Sequence, residues 1–212
     1  MSGRLAELDA VTIDAHGTLV ELDVPVPSLR AALASHGVER EEAEVARAFR
    51  AEVAYYRARV LDGADATSLA DLRLRCAGVF LAELGRPLEP EAFVDSFVAA
   101  IRFRCLPGVQ SALARLGGLG LALGVVSNWD VGLHDHLEAL GLRARLACVV
   151  TSAEAGAAKP APGPFALALA RLGVPPGRAL HVGDGRDDEA GARAAGMAFV
   201  AAPLAGALGA WA

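Results

Sequence analysis

Five short apolar runs stand out along the chain: Ala10 to Ile13, Leu121 to Val126, Ala147 to Val150, Ala179 to Val182 and Ala198 to Val200. Each has the length and β-branched content of a buried strand. Between the last four, apolar residues recur at helical spacing in Val131 to Leu140, Pro164 to Leu172 and Asp187 to Ala195. Gly141, Gly173 and Gly196 follow these segments, where a helix end favours glycine. Strand alternating with helix predicts a parallel sheet covered on both faces. The first strand is followed differently. Up to Phe103 the pattern is helical throughout, over Pro27 to Ser35, Glu41 to Leu61, Ser68 to Leu84 and Glu91 to Phe103. In the second of these, Val45, Phe49, Val53, Tyr56 and Val60 form an amphipathic stripe. The expectation is an α/β core, residues 1–19 and 104–212, carrying an all-helical insert over residues 20–103. The turn Leu106-Pro107-Gly108 then starts a helix that leads back into the sheet.

Composition narrows the class. With 212 residues, 54% of them hydrophobic, the chain can bury a full core and is not intrinsically disordered. A net charge of −5 argues against nucleic-acid binding through a basic surface. Cys76, Cys105 and Cys148 are scattered and odd in number, so neither a disulfide framework nor a structural zinc site is expected, and a cytoplasmic location fits. Met1 to Asp9 carries Arg4, Glu7 and Asp9 and lacks the apolar core of a signal peptide. Ala194 to Ala212 has no charge, but its glycines, proline and alanines suit a buried edge strand and short tail better than a membrane anchor. Arginine supplies all the basic residues but one. Lys159 is the sole lysine and Asn128 the sole asparagine, which makes their positions informative.

Those positions fall with the other polar residues at the C-terminal ends of the predicted strands. Asp14 follows the first, Ser127 and Asn128 the second, Lys159 lies in the loop after the third, and Asp184, Asp187 and Asp188 follow the fourth. That edge is where an open parallel sheet binds ligands. Singly, each has a structural explanation: Asp14 as a helix N-cap, Lys159 as a solvated loop charge, Asp187 as a first-turn acid.

Taken in order, the segments resemble the four motifs of the haloacid dehalogenase superfamily. Val11-Thr12-Ile13-Asp14-Ala15-His16-Gly17-Thr18-Leu19 is similar to the first and Gly124-Val125-Val126-Ser127-Asn128 to the second. Lys159-Pro160 is similar to the third, and His181-Val182-Gly183-Asp184-Gly185-Arg186-Asp187-Asp188 to the fourth. The resemblance implies a doubly wound core with strands in spatial order 3-2-1-4-5, and a helical cap. It implies Mg²⁺-dependent hydrolysis of a small phosphate monoester, with Asp14 as nucleophile and Lys159 neutralising charge. Thr18, Ser127 and Asn128 (mainly through its backbone N–H) would hold the phosphoryl group. Asp14, Asp184, Asp188 and the backbone carbonyl of His16 would hold Mg²⁺, with Asp187 the competitor to Asp188.

His16 departs from the phosphatase pattern, which usually has aspartate two residues after the nucleophile. Three accounts follow: His16 is the acid–base group, since imidazole titrates near neutrality; or the chain resembles the metal-free 2-haloacid dehalogenases, whose first motif often reads Asp-Ala-Tyr-Gly-Thr; or it binds a phosphorylated ligand with little or no turnover. Retention of Asp184 and Asp188 favours the metal-dependent account. On the helical insert, Arg50 is the candidate substrate contact, weighed against a solvated helix face. His181, inside a strand, is expected to be buried and hydrogen-bonded. Membrane and nucleic-acid partners are not expected, and oligomeric state is left open.

Overall fold

Ala10–Ile13 forms β1 and Val20–Leu22 forms β2. Four helices follow: Pro25–Ser35 (α1), Glu42–Arg57 (α2), Ala66–Glu83 (α3) and Pro90–Ala100 (α4). Phe103–Cys105 (β3), Val109–Gly118 (α5), Ala122–Ser127 (β4), Leu133–Ala139 (α6), Cys148–Thr151 (β5) and Ser152–Ala155 (α7) come next. Gly163–Leu172 (α8), Ala179–Gly183 (β6), Arg186–Ala194 (α9) and Ala198–Ala201 (β7) follow. The structure, a computed structural model, describes residues 7–206, so residues 1–6 of the N-terminal segment and 207–212 of the uncharged tail lie outside it.

Five strands pair in parallel in the order β5-β4-β1-β6-β7, the expected arrangement. The register sets Ile13 between Val125 and Val182 and places Ser127 opposite Thr151. β1 is therefore central and wholly buried, and its C-terminal end lies between those of β4 and β6. Helices α8 and α9 pack on the sheet through Phe165, Ala168, Leu169 and Ala192. A Cβ on Gly191 would fall 2.4 Å from the Phe165 ring, so this close approach requires glycine. The edge strand β7 is half-buried to exposed, not buried as expected: α9 packs on it, whereas the opposite edge strand, β5, is buried where both α7 and α8 pack on it. None of the three cysteines forms a disulfide.

The chain divides into two compact units, residues 1–21 with 104–212 and residues 22–103. The second unit is helical: α2 packs on α3, α3 on α4, and α1 on both α2 and α4. Its core gathers Leu29, Leu33, Val45, Phe49, Leu72, Phe80, Phe93 and Phe97. Capping boxes start α2 (Glu41 with Glu44) and α3 (Asp65 with Ser68).

Two helix ends need correction, and one small sheet was not expected. α2 stops at Arg57, and the last apolar residue of its stripe, Val60, is buried by a 3₁₀ turn instead. α4 ends at Ala100, and Phe103 belongs to a strand. The strands β2 and β3 pair as a separate two-stranded sheet that the sequence pattern does not reveal. Asp23 N–H donates to Arg102 O at 2.8 Å and Leu106 N–H to Leu19 O at 2.9 Å. Residues later on one strand thus face residues earlier on the other, so the pair is antiparallel.

Candidate active site

The site is built where β1, β4 and β6 end. Asp14, immediately after β1, is buried, and its N–H donates to Val182 O at 2.9 Å on β6. Its Oδ1 accepts from Ser127 Oγ, the last residue of β4, at 3.0 Å and from Lys159 Nζ at 2.5 Å. Lys159 is only 6% exposed, which dismisses a solvated loop charge. Its ammonium has three hydrogens and three acceptors: Asp14 Oδ1, Asp188 Oδ1 and, at 3.1 Å, Val126 O. A buried cation can be held this way because each lost water is replaced by a protein acceptor.

Asp188, in the first turn of α9, accepts from Gly185 N–H at 3.0 Å through Oδ2. Its Oδ1 also accepts from His181 Nε2 at 3.0 Å, and His181 Nδ1 meets Thr12 Oγ1 at 2.9 Å. Burial pushes the His181 pKa down, favouring neutral imidazole. The ring then carries its proton on Nε2, toward the carboxylate, and Nδ1 accepts from the Thr12 hydroxyl. Burial alone would raise Asp188, but hydrogen bonds from His181 and Lys159 hold its pKa down to about 2. Burial raises Asp14, opposed by Lys159 and Ser127.

Asp14, Asp184 and Asp188 each offer a carboxylate oxygen, all within 4.8 Å of one another. Gly17, with φ +80°, makes this possible, since a Cβ there would lie 2.1 Å from Asp184 Oδ2. A cavity of about 300 Å³ opens on the cluster, lined by Asp14, His16, Ser127, Asn128, Lys159 and the 185–188 turn. Asp187 lines it too but is exposed and outside the three-acid group. Thr18 is 2% exposed, and among the described residues its Oγ1 is the buried side-chain atom left without a hydrogen bond. Arg50 is exposed on α2 of the helical unit.

Sequence reasoning assigned no role to Arg186 or Thr12, and it expected His181 to be buried and hydrogen-bonded, as it is, without naming its partners. Arg186 is signalled by its place directly after Asp184-Gly185. The His181–Asp188 contact follows from spacing across the strand-to-helix turn, but the Thr12 partner needs the β1–β6 pairing, which sets Thr12 opposite His181.

The family described as haloacid dehalogenase-like hydrolase matches residues 8–196. "Haloacid dehalogenase-like hydrolase domain-containing protein 3" of Mus musculus is 35% identical over 211 residues, covering 93% of this chain and 82% of that protein. The chain belongs to the haloacid dehalogenase-like hydrolases. Within that family, the phosphoglycolate phosphatase of Escherichia coli is 36% identical over 95 residues, 44% of this chain and 38% of that protein. Among solved structures, the L-2-haloacid dehalogenase of Xanthobacter autotrophicus is 26% identical and covers 91% of this chain and 76% of its own, with a TM-score of 0.66. The fold and the hydrolase class of this family member rest on these matches together. No helix among the described residues is long and apolar enough to cross a membrane.

Proposed function

We propose that the chain hydrolyses small phosphate monoesters with Mg²⁺, through a phosphoryl group carried on Asp14. The observation that carries the reading is the three-acid group beside a buried lysine: three hard oxygen donors within 4.8 Å suit Mg²⁺, which takes few carboxylates and keeps several waters. Asp14, Asp184 and Asp188, with the His16 backbone carbonyl, would hold the ion, which supplies neutralisation of phosphate charge.

Asp14 Oδ1 is occupied by Ser127 and Lys159, so Oδ2 is the oxygen available to attack phosphorus. As the Asp14 O–P bond forms, the P–O bond to the alcohol breaks, and the His16 imidazolium gives its proton to the departing oxygen. The neutral His16 then takes a proton from water, whose oxygen attacks phosphorus and releases Asp14 and inorganic phosphate. Lys159 and Ser127 hold Asp14 and meet the charge of the phosphoryl oxygens, together with the Asn128 N–H and Thr18. Substrate selection is assigned to the helical unit as a cap, with Arg50 its candidate contact. A metal-free dehalogenase has no use for Asp184, whose charge only repels Asp14 and Asp188.

The test is phosphate release from a panel of phosphate esters with Mg²⁺ or EDTA, beside Asp14→Asn. Release that needs Mg²⁺ and is lost in the variant supports the proposal. Halide release from 2-haloacids without metal, or binding of phosphate esters without turnover, would replace it.

A further inference from the structure

The sole asparagine and the sole lysine of the chain are bonded to each other. Asn128 Nδ2 donates to the backbone carbonyl of Lys159 at 3.0 Å, and the Lys159 N–H donates to Asn128 Oδ1 at 2.7 Å. The orientation of the amide is fixed by chemistry: the Lys159 N–H can only donate, so the atom facing it is oxygen. A carboxamide supplies a donor and an acceptor side by side, and it closes both backbone groups of one residue at once. Aspartate would set a second acceptor against the Lys159 carbonyl, and an apolar residue would satisfy neither group.

We propose that Asn128 is a positioning residue: its carboxamide clamps the backbone of Lys159, so that the ammonium is held against both Asp14 and Asp188. The chain composition supports this. Arginine stands at every other basic position, yet a guanidinium is too broad for a point at which Asp14 Oδ1, Asp188 Oδ1 and Val126 O converge on one nitrogen. A compact ammonium on a flexible stem needs its backbone fixed to be placed there, and the only residue of its kind in the chain does the fixing. The Asn128 side chain is thereby used up. What it offers a substrate is its backbone N–H.

The uniqueness of Lys159 makes the test residue-specific. Protein grown with 15N-lysine yields one side-chain ammonium resonance. In the native protein this signal is slow to exchange with water, because all three hydrogens are bonded. In Asn128→Ala the exchange accelerates at least about tenfold, as local opening becomes easier. Should that variant fail to fold, the isosteric Asn128→Asp keeps the acceptor and loses the donor, and its exchange rate lies between the two. An exchange rate unchanged from native in the folded variant overturns the proposal. The kinetic arm rests on the phosphatase reading. There Asn128→Ala lowers kcat about a hundredfold, the usual effect of misplacing a charged group by an ångström. KM stays within about threefold, because no ground-state contact is removed. A raised KM with kcat retained would assign the side chain to substrate binding and overturn the proposal. If the native protein releases no phosphate, that reading fails alone, and the exchange measurement still decides the role of Asn128.

Discussion

Replacing Glu52 by glutamine should abolish a pH dependence built into the helical unit. Glu52 is 5% exposed on the buried face of α2, beside Val45, Ala48 and Phe49. Burial raises its pKa from 4.5 to about 7, and a hydrogen bond from the Cys76 thiol on α3 offsets only part of that. The raised value fixes the sign. The folded state holds this proton more tightly than the unfolded one, so the stability it lends is full below about pH 4.5 and is lost as pH rises through about 7. At about 1.4 kcal/mol per tenfold difference in proton affinity, the loss across that window is about 3 kcal/mol. Glu52→Gln keeps the shape and never ionises, so any fixed cost of its extra donor is the same at every pH. The assay is urea unfolding at pH 4.5 and pH 8, followed by near-ultraviolet circular dichroism at tyrosine wavelengths. Both tyrosines of the chain, Tyr55 and Tyr56, lie on α2 and report this unit. Relative to native protein, the variant should gain about 3 kcal/mol between the two pH values. A difference that stays the same at both would refute the argument that burial, unrelieved by a cation, governs Glu52.

Other perturbations address the core unit and its links. Saturating Mg²⁺, about a hundredfold above its dissociation constant, should stabilise the native protein by about 2.7 kcal/mol and leave Asp184→Ala unmoved; equal melting shifts in both would remove Asp184 from the metal site. His16→Asn should slow phosphate release by about a hundredfold while Mg²⁺ still raises the melting temperature, and an unchanged rate would make His16 a bystander. Val24 is a β-branched residue at φ 39°, ψ 60°, 61% exposed, and it caps α1 without a side-chain hydrogen bond. Val24→Asn tolerates that backbone and can cap, so the urea midpoint should rise by the equivalent of about 1 kcal/mol; a lower midpoint would mean the valine side chain is needed there.

The sheet was legible because each of its strands is a short apolar run set between turn residues and helical periodicity. Buried on both faces, β1, β4, β5 and β6 leave an uninterrupted signal. β2 and β3 leave none, since Val20-Glu21-Leu22 and Phe103-Arg104-Cys105 are too short to alternate more than once. The same brevity let the helical pattern run past Ala100 into Phe103. The strand-end residues of the site could be read from their order, because strand ends of a parallel sheet converge. The clamp between Asn128 and Lys159 could not, as a side chain bonded to a distant backbone imposes no periodicity. Thr12 was hidden for another reason: inside a strand its hydroxyl looks like ordinary β propensity, and its partner His181 is reached only through register.

The antiparallel pairing of β2 with β3 gives the insert an unusual status. With Asp23 N–H bonded to Arg102 O, the helical unit leaves and re-enters the chain at a single rung of a ladder, as the loop of a hairpin does. Closing so long a loop costs only slowly more than closing a short one. A two-residue reverse turn could therefore stand where a whole folding unit now stands, without disturbing the register of any strand. The rung is a socket: what is plugged into it can be exchanged, enlarged or removed by recombination at one point, while the catalytic edge keeps its own scaffold.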